Sequence, residues 1–391
     1  MGGGVDQIRW SNSGNDDPRR QGRPLHHQVR PPPDFPELAS AAEVVSARLL
    51  HAAGYNVPEN YIAYVEKRQL KLKSEALLNV TTDDSRPPIS SRSVRQEDLD
   101  QLFESASDGD GPVRVLASRF LDGKPIGPWS YTGIRRDDPN DIYRHEHRRE
   151  IRGFYVIASW LNHADMKEEN TLDIYNPETQ RVTHYLIDFG ASLGSNSTSA
   201  SNPRRGQANS LDVKDSLTRL FTFGLYVHNY EKAPRTVFHP SVGYLDNELF
   251  KPELWKPMYP VPAFENMTNR DAFWGASIVT SFSDAQIEAA VSAAELSDPK
   301  AAQGLVDFLV ERRDRVGAYW FGRLNALARF RLPGGDHLRG TDLAVARGYA
   351  ATEETRYRIR VYSGDREACG GLSILEPGSR PHHRRGLVVA R

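Results

Sequence analysis

Between His145 and Asn162 the chain reads HEHRREIRGFYVIASWLN, and Ile151, Phe154, Tyr155, Ala158 and Leu161 recur there with helical spacing. A single apolar stripe on so long a pattern predicts a buried spine helix. A second helical pattern, SAAEVVSARLLHAA over residues 40–53, stops at Gly54. Ser40 and Glu43 have the spacing of a capping box, and glycine suits the left-handed turn that ends many helices. Farther on, residues 284–291 predict a short helix and a longer one begins at Pro299, because Asp298 can cap it and proline is tolerated in a first turn. Leu305, Phe308, Leu309 and Val316 give that helix a core-facing stripe, and Trp255, Phe273 and Trp274 are aromatic anchors beside it.

Strand-like runs rich in β-branched and aromatic residues lie at 61–72 and 113–120, with a polar linker at 81–95 between them. Residues 121–125, LDGKP, turn away from the second run and form a candidate hinge. A strand, turn and strand follow at 171–175, Asn176–Pro177 and 181–187. The stretch 191–210 is rich in Ser, Asn and Gly and holds Arg204 and Arg205, a composition that favours a mobile loop. Residues 1–35 carry no alternating apolar pattern, and the Gly- and Arg-rich residues 332–391 offer one strand-like run at 356–361. The elements imply an α+β chain. Its expected parts are a low-order segment 1–35, a small β-rich lobe 36–122, a larger helical lobe 123–331 and an irregular tail 332–391.

With 391 residues, 39% of them hydrophobic, such a chain can bury a sizeable core. The net charge of -1 argues against a general polyanion-binding role, and the basic clusters at 19–30 and 382–385 read as solvated ends. No apolar run approaches the roughly 18 residues that a membrane span needs, and the start lacks a secretory pattern. The single cysteine, Cys369, forms no internal disulfide, so the expected location is the reducing cytoplasm.

Chemistry concentrates between His163 and Gly190, HADMKEENTLDIYNPETQRVTHYLIDFG. Asp165 and Asn170 stand in an HxDxxxxN arrangement, and Asp188 opens a DFG at the end of the second strand of the hairpin. Phosphoryl transfer needs positioning and charge neutralisation more than covalent chemistry. Magnesium takes one or two carboxylates together with phosphate oxygens, a role that suits Asp188 and the amide oxygen of Asn170. Asp165 could then orient an acceptor hydroxyl and take its proton late.

Order and spacing here resemble the catalytic and metal-binding loops of the protein-kinase-like superfamily. Together with AAGYNVPENY, DDPNDIYRHEHRREIRG and RDAFWGA, they make residues 36–330 similar to bacterial kinase-like proteins allied to the HipA-type and spore-coat kinase-like branches. The resemblance implies a two-lobed kinase-like fold, ATP and magnesium as ligands, and a protein or small-molecule hydroxyl as acceptor. It further implies that Lys167 touches the transferring phosphate, that His163 braces the loop, and that Phe189 and Gly190 complete the nucleotide-site motif. Glu43 would pair with an ATP-positioning lysine, or else serve as a plain capping residue.

One part of the pattern is missing from the sequence. No glycine-rich strand turn and no strand lysine are recognisable ahead of residue 40, where Arg30 is the nearest cation and its planar fork substitutes poorly for an ammonium. Two readings stay open: an active phosphotransferase, and a nucleotide-binding pseudokinase or scaffold without turnover.

Overall fold

In the computed structural model the described residues are 8–9, 25–28, 35, 37–69, 77–80, 90–93, 95–106, 111–210, 217–218, 220–223, 225–331, 339–361, 373–375 and 387–390. Helices and strands are mixed, and the strands form several small sheets.

The four-stranded sheet has the order β1 (Ile8–Arg9), β2 (Leu25–Gln28), β6 (Val113–Arg119), β3 (Asn60–Val65). All its pairings are antiparallel, with Leu25 opposite Arg119 on one side of β6 and Asn60 opposite Ser118 on the other. Leu25–Gln28 reads LHHQ, so no alternation announces it. Its strand state comes from main-chain pairing with β6, a force that composition does not display. The expected strand 61–72 stops at Val65 and gives way to a turn of 3-10 helix at Lys67–Gln69. Within the expected linker, β5 (Ser90–Ser93) is a strand paired with β4 (Leu77–Val80) ahead of it, and α2 (Gln96–Ala106) follows.

Helix α1 (Leu38–Ala52) packs on β3 and β6 and buries ten residues, among them Ala41, Ala42, Ser46 and Ala47, whose small side chains allow close approach. It begins earlier than the capping-box spacing implies. Glu37 is the cap residue and makes no side-chain cap; Ser40 Oγ donates to the Glu37 carbonyl at 3.0 Å, and Glu43 is buried on the sheet side. The capping-box reading of Ser40 and Glu43 is therefore corrected. Gly54 does end the helix, at φ +95°, with its N–H on the His51 carbonyl and that of Tyr55 on the Leu50 carbonyl.

The expected spine helix is divided into a 3-10 turn at His145–His147, α3 (Arg149–Arg152) and α4 (Phe154–Leu161). Arg148 is extended between the first two, and Gly153 joins the helices where a Cβ would lie 2.6 Å from Trp274. Every residue of α4 is buried, and Trp160 Nε1 donates to the Leu309 carbonyl at 2.8 Å on the long helix Pro299–Arg323. That helix starts as the sequence predicts, with Asp298 accepting from the Lys300 N–H, and Leu305, Phe308, Leu309 and Val316 all face the core. The helix at Asp284–Ser292 is likewise present, capped by Ser283 with Gln286. No helix among the described residues is long and apolar enough to cross a membrane.

Residues 191–210 are packed, in contrast to their loop-like composition. Ser192, Leu193 and Ser195 are buried, Leu193 N donates to the Leu161 carbonyl at 2.8 Å and Tyr244 N to the Gly194 carbonyl at 3.0 Å. Small polar residues permit this because their hydroxyls bond the nearby main chain, as Ser195 Oγ does with Gly190 O at 2.6 Å. Gly194 crosses Gly243 so tightly that a Cβ on Gly194 would sit 2.2 Å from the Val242 carbonyl oxygen. Gly194→Ala is expected to destabilise by about 2 kcal/mol, within the usual range for overpacking. Chemical denaturation reads this directly, and an unchanged midpoint would contradict the crossing.

Beyond the long helix, residues 339–342 and 343–346 add a strand and a short helix whose Leu343 and Ala344 join the core. The strand expected at 356–361 is observed at Tyr357–Val361, flanked by Ser373–Leu375 and Leu387–Ala390 in a three-stranded sheet.

Candidate active site

The chain leaves α4 through Asn162 in the left-handed region, φ 49°, whose side chain accepts from Trp255 Nε1 at 3.0 Å and donates to the Leu193 carbonyl at 3.3 Å. His163 and Ala164 follow, buried, with Met258 N donating to the Ala164 carbonyl at 2.7 Å. The loop bearing Asp165 is thus pinned on both sides. A single 3-10 turn at Glu168–Asn170 then leads into β8 (Thr171–Asn176), which pairs with β9 (Arg181–Leu186) in register from Thr171 opposite Leu186 to Asn176 opposite Arg181. On the other edge of β8, β7 (Lys124–Pro125) pairs with Tyr175 and Ile174. Gly123 precedes it at φ +127°, where a Cβ would meet the Tyr175 oxygen at 2.6 Å.

This hairpin brings the two acidic motifs together. Ile187 N donates to the Asn170 carbonyl at 3.0 Å, which sets Asn170 beside the residue before Asp188. Asn170 Nδ2 donates to the Asp165 main-chain oxygen at 2.9 Å and to Asp165 Oδ2 at 3.2 Å. Lys167 Nζ lies 3.3 Å from the same Oδ2. Burial works against the Lys167 ammonium, but the carboxylates of Asp165 and Asp188 outweigh it and hold its pKa above the ordinary value. Asp188 itself is a non-glycine residue at φ +60°, a conformation that aspartate tolerates better than most and that often marks a functional turn. Asp165, Lys167, Asn170 and Asp188 therefore share one neighbourhood.

Phe189 is fully buried, and its ring meets that of His163 edge-on at 5.4 Å. The Gly190 carbonyl accepts from Ser195, and Ser192 Oγ donates to the Phe189 carbonyl at 2.7 Å while sharing a 2.7 Å bond with Ser46 Oγ on α1. Glu43, one turn earlier on α1, accepts from Asn60 Nδ2 at 3.0 Å, and Asn60 accepts from Ser118 Oγ at 2.6 Å. Glu43 thus faces the edge strand β3 and, through Asn60, its neighbour β6, and α1 reaches the turn after Asp188 through Ser46.

His163 packs between Phe189 and Phe154. Burial drives its pKa down to about 4; Asp165 and Asp188 oppose the shift and Arg205 adds to it. A neutral buried imidazole must charge on unfolding once pH falls below the ordinary value near 6.5. The unfolded chain then binds more protons, so stability rises with pH across that window and is lost on acidification toward 4. Wild type is expected to lose about 2 kcal/mol more than His163→Phe between pH 7 and 5. Urea melts at the two pH values test this, and parallel losses would contradict it.

Three further neighbours lie outside the expected site set, although Arg205 belongs to the basic pair marked in the loop 191–210. Arg205 donates to Met258 Sδ at 3.0 Å and to Asn196; burial lowers its pKa, and Asp165 and Tyr259 counter the effect. Tyr259 also lies near Lys167. The Tyr131 hydroxyl is held far above its ordinary pKa by burial and then by Asp165 and Glu168. All three come from segments 34 to 94 positions away from Asp165, and no local pattern ties them to it.

No family model matches the chain, and no curated protein matches it. Among solved structures it is similar to a Helicobacter pylori proinflammatory kinase, CtkA, with a TM-score of 0.36, 11% identity, and coverage of 78% of this chain and 90% of that one.

Proposed function

We propose that this chain is a two-lobed, kinase-like phosphotransferase that moves the terminal phosphoryl group of ATP to a hydroxyl on a protein or small molecule. The supporting observation is the convergence of Asp165, Lys167 and Asn170 within hydrogen-bonding reach, on a hairpin that also delivers Asp188. The donor set suits magnesium, since the Asn170 amide turns its N–H groups to Asp165 and its oxygen away, and Asp188 adds a carboxylate. Bound magnesium would neutralise charge on the phosphates. Asp165 accepts a hydrogen bond from the acceptor hydroxyl and takes its proton as oxygen bonds to the terminal phosphorus and the bond to the bridging oxygen of ADP breaks. Lys167 meets the charge on the transferring group, and Asn170 holds Asp165 in place.

Labelled ATP and magnesium test the reading: wild type transfers phosphate to itself or to an added hydroxyl acceptor and Asp165→Asn does not. Equal transfer by both would overturn it. The missing glycine-rich turn and strand lysine favour a second reading, a nucleotide-binding switch or scaffold. Magnesium-dependent stabilisation by ATP without any transfer would select it.

A further inference from the structure

Behind the hairpin, on the face opposite Leu172 and Tyr185, two histidines and two carboxylates are packed together. His145 Nδ1 lies 2.5 Å from the Ser130 carbonyl oxygen and its Nε2 lies 2.8 Å from Asp141 Oδ2. A carbonyl can only accept, so Nδ1 carries a proton. Nε2 faces a carboxylate oxygen, and a contact between those two atoms is completed by a proton or by a metal ion. His184 is oriented by a comparable contact: its Nδ1 is 2.5 Å from Oδ1 of the fully buried Asp173, which leaves Nε2 with its lone pair. A histidine nitrogen held by a carbonyl or carboxylate, with the other free to ligate, is the usual outer support of a metal-binding imidazole.

One ligand atom each from Asp141, His145 and His184 lie within 4.8 Å of one another. A tetrahedral site with bonds of about 2.0–2.1 Å places its ligands roughly 3.4 Å apart. Entry of the ion would part His145 Nε2 and Asp141 Oδ2, now 2.8 Å apart, by about half an ångström and draw in His184, whose side chain is 25% exposed, by somewhat over an ångström. Asp141 is fixed by the Arg135 N–H at 2.6 Å and by Arg148. A cavity of about 270 Å³ adjoins His145 and His184 and is walled by Tyr55, Trp129 and Phe154, which leaves room for an exchangeable fourth ligand.

We propose that Asp141, His145 and His184 bind one first-row divalent transition ion. Two imidazoles and a carboxylate favour such an ion over magnesium, which prefers oxygen donors. Asp173 is the positioning residue that orients His184. The ion ties β9 to residues 129–148, and β9 ends two residues before Asp188. The site therefore steadies the hairpin from its far side. Metal uptake here is independent of phosphoryl transfer.

The full chain is stripped with a chelator and titrated with Co²⁺, then with Zn²⁺. The expected result is one Co²⁺ per chain with an intense tetrahedral visible spectrum, displaced by Zn²⁺ and accompanied by a rise in Tm. His184→Gln abolishes the spectrum, and Asp173→Asn weakens affinity 10- to 100-fold. Far-UV circular dichroism checks that the variants fold, and the wild-type titration stands by itself if they do not. A weak six-coordinate spectrum in wild type, or equal uptake by folded His184→Gln, would overturn the proposal and leave a proton to complete the contact.

Discussion

Asp165→Asn is expected to lower phosphoryl transfer by about 10²–10⁴-fold, the usual contribution of a positioned proton acceptor, without loss of the fold. The substitution is nearly isosteric, and Asp165 is fixed through its main-chain oxygen as well as its side chain, so Asn170 keeps its 2.9 Å bond. What disappears is the negative charge beside Lys167 and, with it, the basicity needed to take a proton, since an amide oxygen still accepts a hydrogen bond. Because Asp165 helps raise the Lys167 pKa, the variant should also shift the alkaline limb of the rate profile to lower pH. Initial rates at saturating ATP over a pH series separate the two effects. Unchanged rates would remove Asp165 from the chemistry.

Arg152→Ala is expected to cost about 3 kcal/mol of stability, near the low end for breaking a buried pair because Arg152 retains some exposure. Arg152 Nε and Nη2 reach Asp271 Oδ2 and Oδ1 at 2.8 and 3.0 Å, and the Asp271 side chain is 2% exposed. This fork joins α3 to the helix Asn269–Val279, where Asp271 also closes a capping box with Thr268. Burial alone would raise the Asp271 pKa, but bonds from Arg152 and Thr268 outweigh it and hold the carboxyl below its ordinary value. A lowered folded pKa means stability that is present above the unfolded pKa near 3.9 and lost as pH falls through the folded one. The gap between wild type and variant should therefore narrow in acid. Urea melts at pH 7 and pH 3 measure it; a difference below about 1 kcal/mol at pH 7 would place the pair among weak surface bridges.

The features legible in the sequence are those whose cause is local. Asp298 before Pro299, glycine at 54, the stripe from Leu305 to Val316 and the hairpin between Asn170 and Asp188 each depend on residues a few positions apart. The same holds for Asp165, Lys167 and Asn170, which one loop and one turn bring together. Elsewhere tertiary contacts decide. Ser40 and Glu43 match a capping box in spacing, yet α1 starts at Leu38 and turns Glu43 toward Asn60. The helix expected across 145–162 breaks where Arg148 reaches Asp141 and where Trp274 crowds Gly153. Residues 191–210 look like a solvated loop but pack through serine hydroxyls and the Gly194–Gly243 crossing. The strand at 25–28 owes its existence to β6, 85 or more positions later.

If Asn170 and Asp188 hold a metal-bound triphosphate beside Asp165, ATP and magnesium should stabilise the folded chain only together. Thermal unfolding of wild type and Asp188→Ala with ATP, with magnesium, and with both together tests it most directly. The expected result is a Tm rise in wild type only when both are present, and none in Asp188→Ala, since a ligand stabilises only the state that binds it. An equal rise in the two proteins, or no rise in wild type, would contradict it.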